Sequence, residues 1–457
     1  MFPFFHHVMK RISGFDTGKG IAVLGMIIAH SFEGGICQWD YEVERNFFKK
    51  INIAFILLFS PLALVLLMGL FFTYISSITC TLSVIHKDNN KKEVVLLYIV
   101  YRLVFALVLK WMEIILTAWW KNYDIFETMH LQFPVAIIPR YSHTLDSVGV
   151  CGWFIPLIVY GIRRIRFLSK PCHQIILLTS IAVLFLCFSQ PIASFSLQIG
   201  LFFEHHGMNL LSLFFSKIGS GPFMLAQTIP FGLLGGVIAI ILSEYSTYRI
   251  LRRFDLIFSI CTIVIAGLSL CFTHDFWNAV ARESKPPSVR LMELVIETNC
   301  IVAGLSLMED PERSHAKRLT IIRKCTFLRR ISMLSLTFFI FEQFVCKEIM
   351  KMFQLFFGMA VNLDTKEYIW SIPITILFAG VVTTVDLLII RLWEGGSFRF
   401  SCEYFIGVIM SWLFNQKTYN RVDYQIIVYL PNEVPIERKR SCSIWFVCYD
   451  KELLLSC

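Results

Sequence analysis

The stretch Arg11-Ile-Ser-Gly-Phe-Asp-Thr-Gly-Lys-Gly-Ile-Ala-Val-Leu-Gly-Met-Ile-Ile-Ala-His30 opens the first hydrophobic segment of the chain. It places Lys19 and His30 eleven residues apart. A helix turns 100° per residue, so this separation returns both side chains to nearly the same face, about 16 Å apart along the axis. The spacing predicts a membrane helix with a cation near one surface and an imidazole deep in the bilayer or near its far side. Because an ionisable residue inside a span is costly, we expect this helix to carry function.

The composition agrees with a membrane protein. Hydrophobic residues make up 56% of the chain and charged residues 16%, whereas soluble proteins carry about 25% charge. The pattern predicts an all-α fold, a polytopic membrane helix bundle of about ten transmembrane helices. The segments long enough to cross a core of about 30 Å lie at 17–36, 51–79, 94–120, 145–162, 173–202, 220–243, 255–273, 290–309, 328–357 and 368–392. We expect the second, fifth and ninth of these to be tilted or broken.

The loops between these segments predict the topology. Alternate loops contain 20 Lys and Arg residues, and the other loops contain 10. The positive-inside rule therefore places both termini in the cytoplasm, with Lys19 at the cytoplasmic face and His30 towards the outside. Residues 1–16 become a cytoplasmic N-terminus, 17–415 the membrane domain and 416–457 a cytoplasmic tail. Basic residues cluster in short loops, so the net charge of +9 does not indicate a nucleic-acid partner, and the run from Arg313 to Arg330 is expected to contact anionic lipid head groups.

Four motifs along the chain resemble those of the transmembrane acyltransferase superfamily. They are Asp16-Thr-Gly-Lys-Gly-Ile-Ala-Val-Leu-Gly-Met-Ile-Ile-Ala-His30, Ser60-Pro-Leu-Ala-Leu-Val-Leu-Leu-Met-Gly69, Ser335-Leu-Thr-Phe-Phe-Ile-Phe-Glu342 and the stretch from Arg391 to Glu403. The superfamily includes heparan-α-glucosaminide N-acetyltransferase, the acyltransferase-3 proteins and uncharacterised bacterial inner-membrane relatives. The chain departs from its pattern at three places: Lys19 stands where Arg is usual, Glu342 where His or Gln is usual, and Ser401-Cys402 where Gly-Pro is usual.

The resemblance implies transfer of an acyl group, commonly acetyl, from a cytoplasmic acyl-coenzyme A to a hydroxyl or amine acceptor, which can be a sugar. His30 would act as the general base or as a transient acyl carrier. Glu33, one turn beyond, would orient the ring. Lys19, together with Arg11, would hold the donor phosphates, and Arg102 would hold a donor phosphate or carboxylate or pair with Asp386. No metal is expected, because adjacent histidines in a loop usually face solvent and no ligand spacing converges.

The same residues also have structural interpretations. Lys19 can be a snorkelling lysine at the end of a span, and His30 a polar residue packed between helices. Lys110 and Glu113 lie three residues apart and can neutralise each other on one helix face. Among the remaining charged and polar candidates, we expect structural pairs for three acids (Glu297, Glu342 and Asp386), a helix-capping or acceptor-binding role for His143 and Asp146, and surface positions for Glu204, His205 and His206.

The fourteen cysteines lie mostly in apolar runs without a paired spacing, so we expect small buried hydrophobes in place of disulfides or metal ligands. A second function fits the composition as well: a non-enzymatic membrane protein, such as a transporter for a small anionic or acylated solute. An enzyme should depend on His30, whereas a transporter should depend on Arg102 or Asp386 and need no acyl donor.

Overall fold

The computed structural model describes residues 12–37, 42–43, 46, 68–88, 92–120, 142–245, 247–270, 285–362, 364–396 and 398–414. Arg11 and the predicted tail at 416–457 lie outside these residues, as does most of the segment predicted at 51–79. The described helices are α1 (Ser13–His30), α2 (Phe71–Asp88), α3 (Lys92–Trp120), α4 (Thr144–Arg164), α5 (Pro171–Cys187), α6 (Ser189–His205), α7 (Asn209–Gly219), α8 (Leu225–Glu244), α9 (Tyr248–Leu270), α10 (Pro287–Met308), α11 (His315–Lys324), α12 (Thr326–Ile331), α13 (Ser335–Phe357), α14 (Ile372–Gly395) and α15 (Cys402–Leu413). Two short antiparallel strands, β1 (Val361–Asn362) and β2 (Glu367–Tyr368), pair between α13 and α14.

Six of the described helices are long and apolar enough to cross a membrane: α3, α4, α8, α9, α10 and α14. The pair α5–α6 adds a seventh if it counts as one bent span. The all-helical, multi-pass architecture predicted from the sequence is therefore confirmed, while the number of ten spans and the cytoplasmic termini stay predictions.

The fifth predicted segment is broken, as expected. Helix α5 ends at Cys187, and α6 begins at Ser189 at an angle of 68° to it. Pro191 lies in the first turn of α6 and has no backbone N–H to donate to the Cys187 carbonyl, so a continuous helix would lose a bond there. The ninth predicted segment is also divided, because a 3-10 turn at Ser332–Leu334 separates α12 from α13.

Helix α2 extends to Asp88, nine residues beyond the predicted end of the second segment. Its second half contains hydroxyl residues that return a bond to the backbone one turn earlier. The Thr79 hydroxyl donates to the Ile75 carbonyl at 2.9 Å, and the Ser83 hydroxyl donates to the Thr79 carbonyl at 2.9 Å. These local bonds satisfy the hydroxyl groups within the helix.

Helix α1 lies between the two largest hydrophobic clusters. Phe15 and Ala22 pack into a cluster formed mainly by α2, α4, α8 and α10. Val23 and Ile27 pack into a second one formed mainly by α13 and α14. At Gly20 the α1 backbone meets that of α12 directly, because a Cβ there would lie 2.0 Å from the Leu328 carbonyl oxygen. Small residues permit such close approaches between membrane helices.

Ion pairs connect the ends of neighbouring helices. The pairs between helix ends are Arg163–Glu244 at 2.7 Å, Arg252–Asp310 at 2.9 Å, Arg330–Glu394 at 3.0 Å and Lys217–Asp146 at 2.8 Å. Each of them joins two ends to which the loop charges assign the same side of the membrane. The first three pairs belong to the predicted cytoplasmic side and the last to the predicted outer side.

Candidate functional site

The candidate site begins where α1 changes its geometry. Directly after His30, the chain continues as a π-helix over Ser31–Ile36, a rare form that occurs frequently at functional sites. This turn packs tightly between α13 and α14, because a Cβ at Gly35 would lie 2.5 Å from the Cys346 sulfur and 3.1 Å from the Phe378 ring. The glycine therefore allows the π-helix to sit against both neighbours and fixes the position of His30 at its start.

The imidazole of His30 bonds to a carboxylate on another helix. Its Nδ1 atom makes a hydrogen bond with Oε1 of Glu342, in the third turn of α13. The Glu342 side chain is only 3% exposed, whereas the His30 side chain is 22% exposed. When the neutral ring donates from Nδ1, Nε2 carries the lone pair on the opposite edge of the ring. The pair therefore has the arrangement of a base held in one tautomer by a buried acid.

Two further carboxylates, on Asp386 and Glu33, interact with the His30–Glu342 pair. Asp386 on α14 is fully buried, and neither of its side-chain oxygens has a hydrogen-bond partner among the described residues. The second oxygen of Glu342 is likewise buried and lacks a partner in the described part of the chain. Glu33, on the π-helix, interacts electrostatically with both His30 and Glu342, and Asp386 interacts with Glu342. We name these four residues, His30, Glu33, Glu342 and Asp386, the acidic cluster.

The acidic cluster lowers the stability of the folded protein. A buried polar group without a partner costs about 1–3 kcal/mol, and a charged one costs more. The structure offers no described cation beside Asp386 to offset that cost. Unsatisfied buried groups in a protein call for an explanation, and a functional site is one of the few that applies.

Sequence reasoning did not join His30 to Glu342. It assigned the orientation of the ring to Glu33, whereas the hydrogen bond that the structure shows comes from Glu342. The sequence analysis expected a structural pair for Glu342 but named no partner, because 312 residues separate Glu342 from His30. The role of Glu33 beside the ring stays a prediction.

Arg102 does not pair with Asp386, so that expectation was wrong. Its guanidinium lies 4.5 Å from the ring centroid of Phe105, and a Cβ at Gly152 on α4 would lie 3.1 Å from its Nη2 atom. These contacts hold Arg102 between α3 and α4, and its Nε atom has no hydrogen-bond partner among the described residues. Its predicted role in holding a donor group is untested, and the structure does not bring it to the acidic cluster.

The first half of α1, which contains Lys19 and the buried Asp16, lies against a helix that carries two arginines. Lys19, half-buried, precedes Gly20, where α12 crosses α1. The last turn of α12 contains Arg329, which is buried, and Arg330, which pairs with Glu394 at the end of α14. The continuous helix from Ser13 to His30 keeps Lys19 about 16 Å from the imidazole, as the spacing predicts. We name Lys19 and Arg329 the basic cluster.

The other charges inside the bundle form structural networks. Lys110 pairs with Glu113 at 2.7 Å, which confirms the neutral pair expected on α3, and it also pairs with Asp146 at 3.1 Å. Asp146 in turn pairs with Lys217 and accepts a bond from the backbone N–H of His143, which confirms the capping interpretation.

A second network, at α10, was missed by sequence reasoning. Arg290, 3% exposed, pairs with Glu293 at 2.6 Å and donates to the Gln227 side chain at 2.8 Å. Glu293 also pairs with Lys285 at 2.6 Å. The i, i+3 spacing of Arg290 and Glu293 was the available signal for this network. Glu297, one turn further along α10, accepts a hydrogen bond from the backbone N–H of Leu70 at 3.1 Å. The sequence analysis expected a structural pair with another side chain, whereas this partner is a backbone group.

His205 and His206 lie exposed at the end of α6, and the His206 ring bonds to the Phe202 carbonyl. In the described residues, no three His, Cys, Asp or Glu side chains come together as metal ligands.

A comparison of the chain with protein-family models, with curated proteins and with solved structures finds no match.

Proposed function

We propose that this chain is an integral membrane acyltransferase in which His30 acts on the acceptor and Glu342 holds the imidazole. The observation that carries the proposal is the hydrogen bond between a partly accessible His30 ring and a buried carboxylate inside the helix bundle. This dyad is the arrangement that general-base catalysis uses, because the acid fixes the tautomer and stabilises the imidazolium that forms.

The proposed acyl transfer requires one group that first accepts a proton and then donates it, and His30 would be that group. An acceptor hydroxyl or amine gives its proton to Nε2 of His30 while its oxygen or nitrogen attacks the thioester carbonyl of the acyl-coenzyme A. The new C–O or C–N bond forms, the C–S bond breaks, and the leaving thiolate takes the proton from the imidazolium. In the alternative order, Nε2 attacks first and carries the acyl group until the acceptor arrives.

The charge distribution along α1 supports a donor that enters from one side. The basic cluster lies at the end of α1 that the loop charges assign to the cytoplasm, where coenzyme A phosphates are expected. Lys19 would bind a phosphate as a point charge, without the planar two-donor fork of an arginine. The imidazole lies about 16 Å further along the helix, so an elongated donor would place its acyl end near His30 and leave its phosphates at the surface. Pocket residues from several helices would determine which acceptor binds, and this acceptor would be a small molecule or a glycan.

The test is acyl transfer by the full chain in lipid nanodiscs. Purified protein is given acetyl-coenzyme A with a labelled acetyl group, and we measure release of free thiol and label on the protein or product. His30→Ala should lower the rate by at least about 100-fold, the contribution typical of a general base. His86→Ala is the matched control, since His86 is exposed near the end of α2. Equal rates in wild type and His30→Ala would refute the proposal.

The burial of Asp386 favours a second candidate function, a transporter for a small anionic or acylated solute that is driven by protons. A carboxyl group with no described partner, close to Glu342, is the kind of group that proton-coupled transporters use. Asp386→Asn in proteoliposomes would then abolish uptake driven by a pH gradient. Thiol release from acetyl-coenzyme A that persists in this variant would favour the enzyme.

A further inference from the structure

A cavity of about 260 Å³ lies between α12 and α14, outside the acidic cluster. Arg330 and Arg391 line it, together with Thr384 and apolar side chains that include Phe327 and Leu388. The lining from Arg391 back to Thr384 covers seven residues of α14, or about 10 Å along the helix axis. The cavity therefore has one basic end and a long apolar body.

Of the described residues that line the cavity, two are basic and none is acidic. Arg330 and Arg391 both pair with the single carboxylate of Glu394, which is 4% exposed. The Arg391 side chain is 53% exposed, so its guanidinium can reach a second anion beyond Glu394. Guanidinium groups bind phosphate oxygens with two parallel hydrogen bonds, and this geometry makes arginine the preferred residue for phosphate recognition.

The apolar body faces the surroundings of the bundle. Leu388 is 57% exposed and Phe327 is 44% exposed, and both line the cavity. Leu388 lies on α14, a helix that is long and apolar enough to span a membrane, where an exposed apolar side chain meets the acyl chains of lipids. A soluble phosphate compound would leave this apolar wall uncovered, whereas the fatty-acid chain of a lipid would cover it.

We propose that the α12–α14 cavity binds an anionic glycerophospholipid, with its phosphate on Arg330 and Arg391 and one acyl chain along α14 towards Thr384. The proposal goes beyond acyl transfer and does not depend on it. The predicted topology supports an anionic lipid, since the end of α14 that contains Arg391 lies on the predicted cytoplasmic side, where anionic lipids attract basic segments. Helix α12 contacts α1 at Gly20, so a bound lipid would also brace the helix that presents Lys19.

The experiment measures retained lipid by native mass spectrometry of the full chain, after exchange into detergent that contains either phosphatidylglycerol or phosphatidylcholine. The wild type should retain phosphatidylglycerol in preference to phosphatidylcholine. The double variant Arg330→Gln/Arg391→Gln should bind it at least about tenfold more weakly, because each lost charged hydrogen bond weakens binding by about that factor. The matched control is Arg166→Gln/Arg253→Gln, which removes the same charge at two exposed positions and should bind as the wild type does.

A second variant keeps the charges and fills the cavity. Leu388→Trp should also reduce phosphatidylglycerol retention, while Arg330 and Arg391 remain; size-exclusion chromatography verifies that each variant is folded. Retention that is unchanged in both variants would overturn the proposal, and so would displacement of the lipid by millimolar inorganic phosphate, since that would make the site one for soluble phosphates. His30→Ala should retain the lipid fully, so a failure of acyl transfer is distinguishable from a failure of this site.

Discussion

Replacing Glu342 by Gln tests the imidazole–carboxylate pair with the smallest possible change in shape. The substitution removes the negative charge beside His30 Nδ1 and offers an amide that can donate to Nδ1, which favours the tautomer with the proton on Nε2. A hydrogen bond to a charged group contributes about 1.5–3 kcal/mol. Since 1.36 kcal/mol corresponds to a factor of ten in rate, the loss predicts a fall in acyl transfer of about 10- to 150-fold.

Glu348→Gln is the control on the same helix. Glu348 pairs with Lys351 at the exposed surface of α13, where its side chain is 50% exposed, so this variant should transfer acetyl groups at the wild-type rate. Thermal unfolding in nanodiscs checks that both variants are folded. A folded Glu342→Gln protein with a rate within a factor of two of the wild type would show that the carboxylate does not hold a working base.

Three predictions concern the stability of the bundle, each measured as the midpoint of thermal unfolding in detergent. Asp386→Asn should leave the midpoint unchanged or raise it, because it replaces an ionisable side chain that has no described hydrogen-bond partner by a neutral one of the same shape; a large loss of stability would mean that the carboxylate is held by a cation. Gly20→Ala should destabilise the protein by forcing apart two backbones, and Gly380→Ala, where a Cβ meets nothing within 4 Å, should not. Lys110→Met should cost about 3 kcal/mol by leaving two buried carboxylates with one cation fewer, whereas Lys351→Met, at an exposed pair, should cost at most about 1 kcal/mol.

The sequence predicted the long apolar helices closely because one physical constraint decides them. A bilayer requires about 20 consecutive apolar residues in a helix, and the predicted segments 145–162 and 220–243 correspond to α4 (Thr144–Arg164) and α8 (Leu225–Glu244) within a few residues at each end. The break at Pro191 follows from a missing backbone donor. Both features depend on residues that are neighbours in the chain.

The π-helix and the acidic cluster could not be predicted in the same way. The π-helix depends on how closely Gly35 approaches Cys346 and Phe378, which only the packed bundle determines. One signal for Glu342 was available: an acid within an apolar run, with no opposite charge within four residues of it. Such a residue needs a distant partner, but hydropathy does not say that the partner is His30.

Under the proposed function, the arrangement around α1 would separate two tasks that one membrane site would combine poorly. Phosphates need cations near water, because burying several negative charges in the bilayer is costly. A base that takes a proton from an acceptor needs an environment from which water is largely excluded and a fixed acid beside it. In this chain Lys19 lies in the first half of α1, and His30, which contacts Glu342, is its last residue, so the two Cα atoms lie about 16 Å apart along the axis. A rigid helix that connects the two clusters would set the length of the donor that can bridge them, so shortened donors that lack the phosphates should bind weakly even though they reach His30.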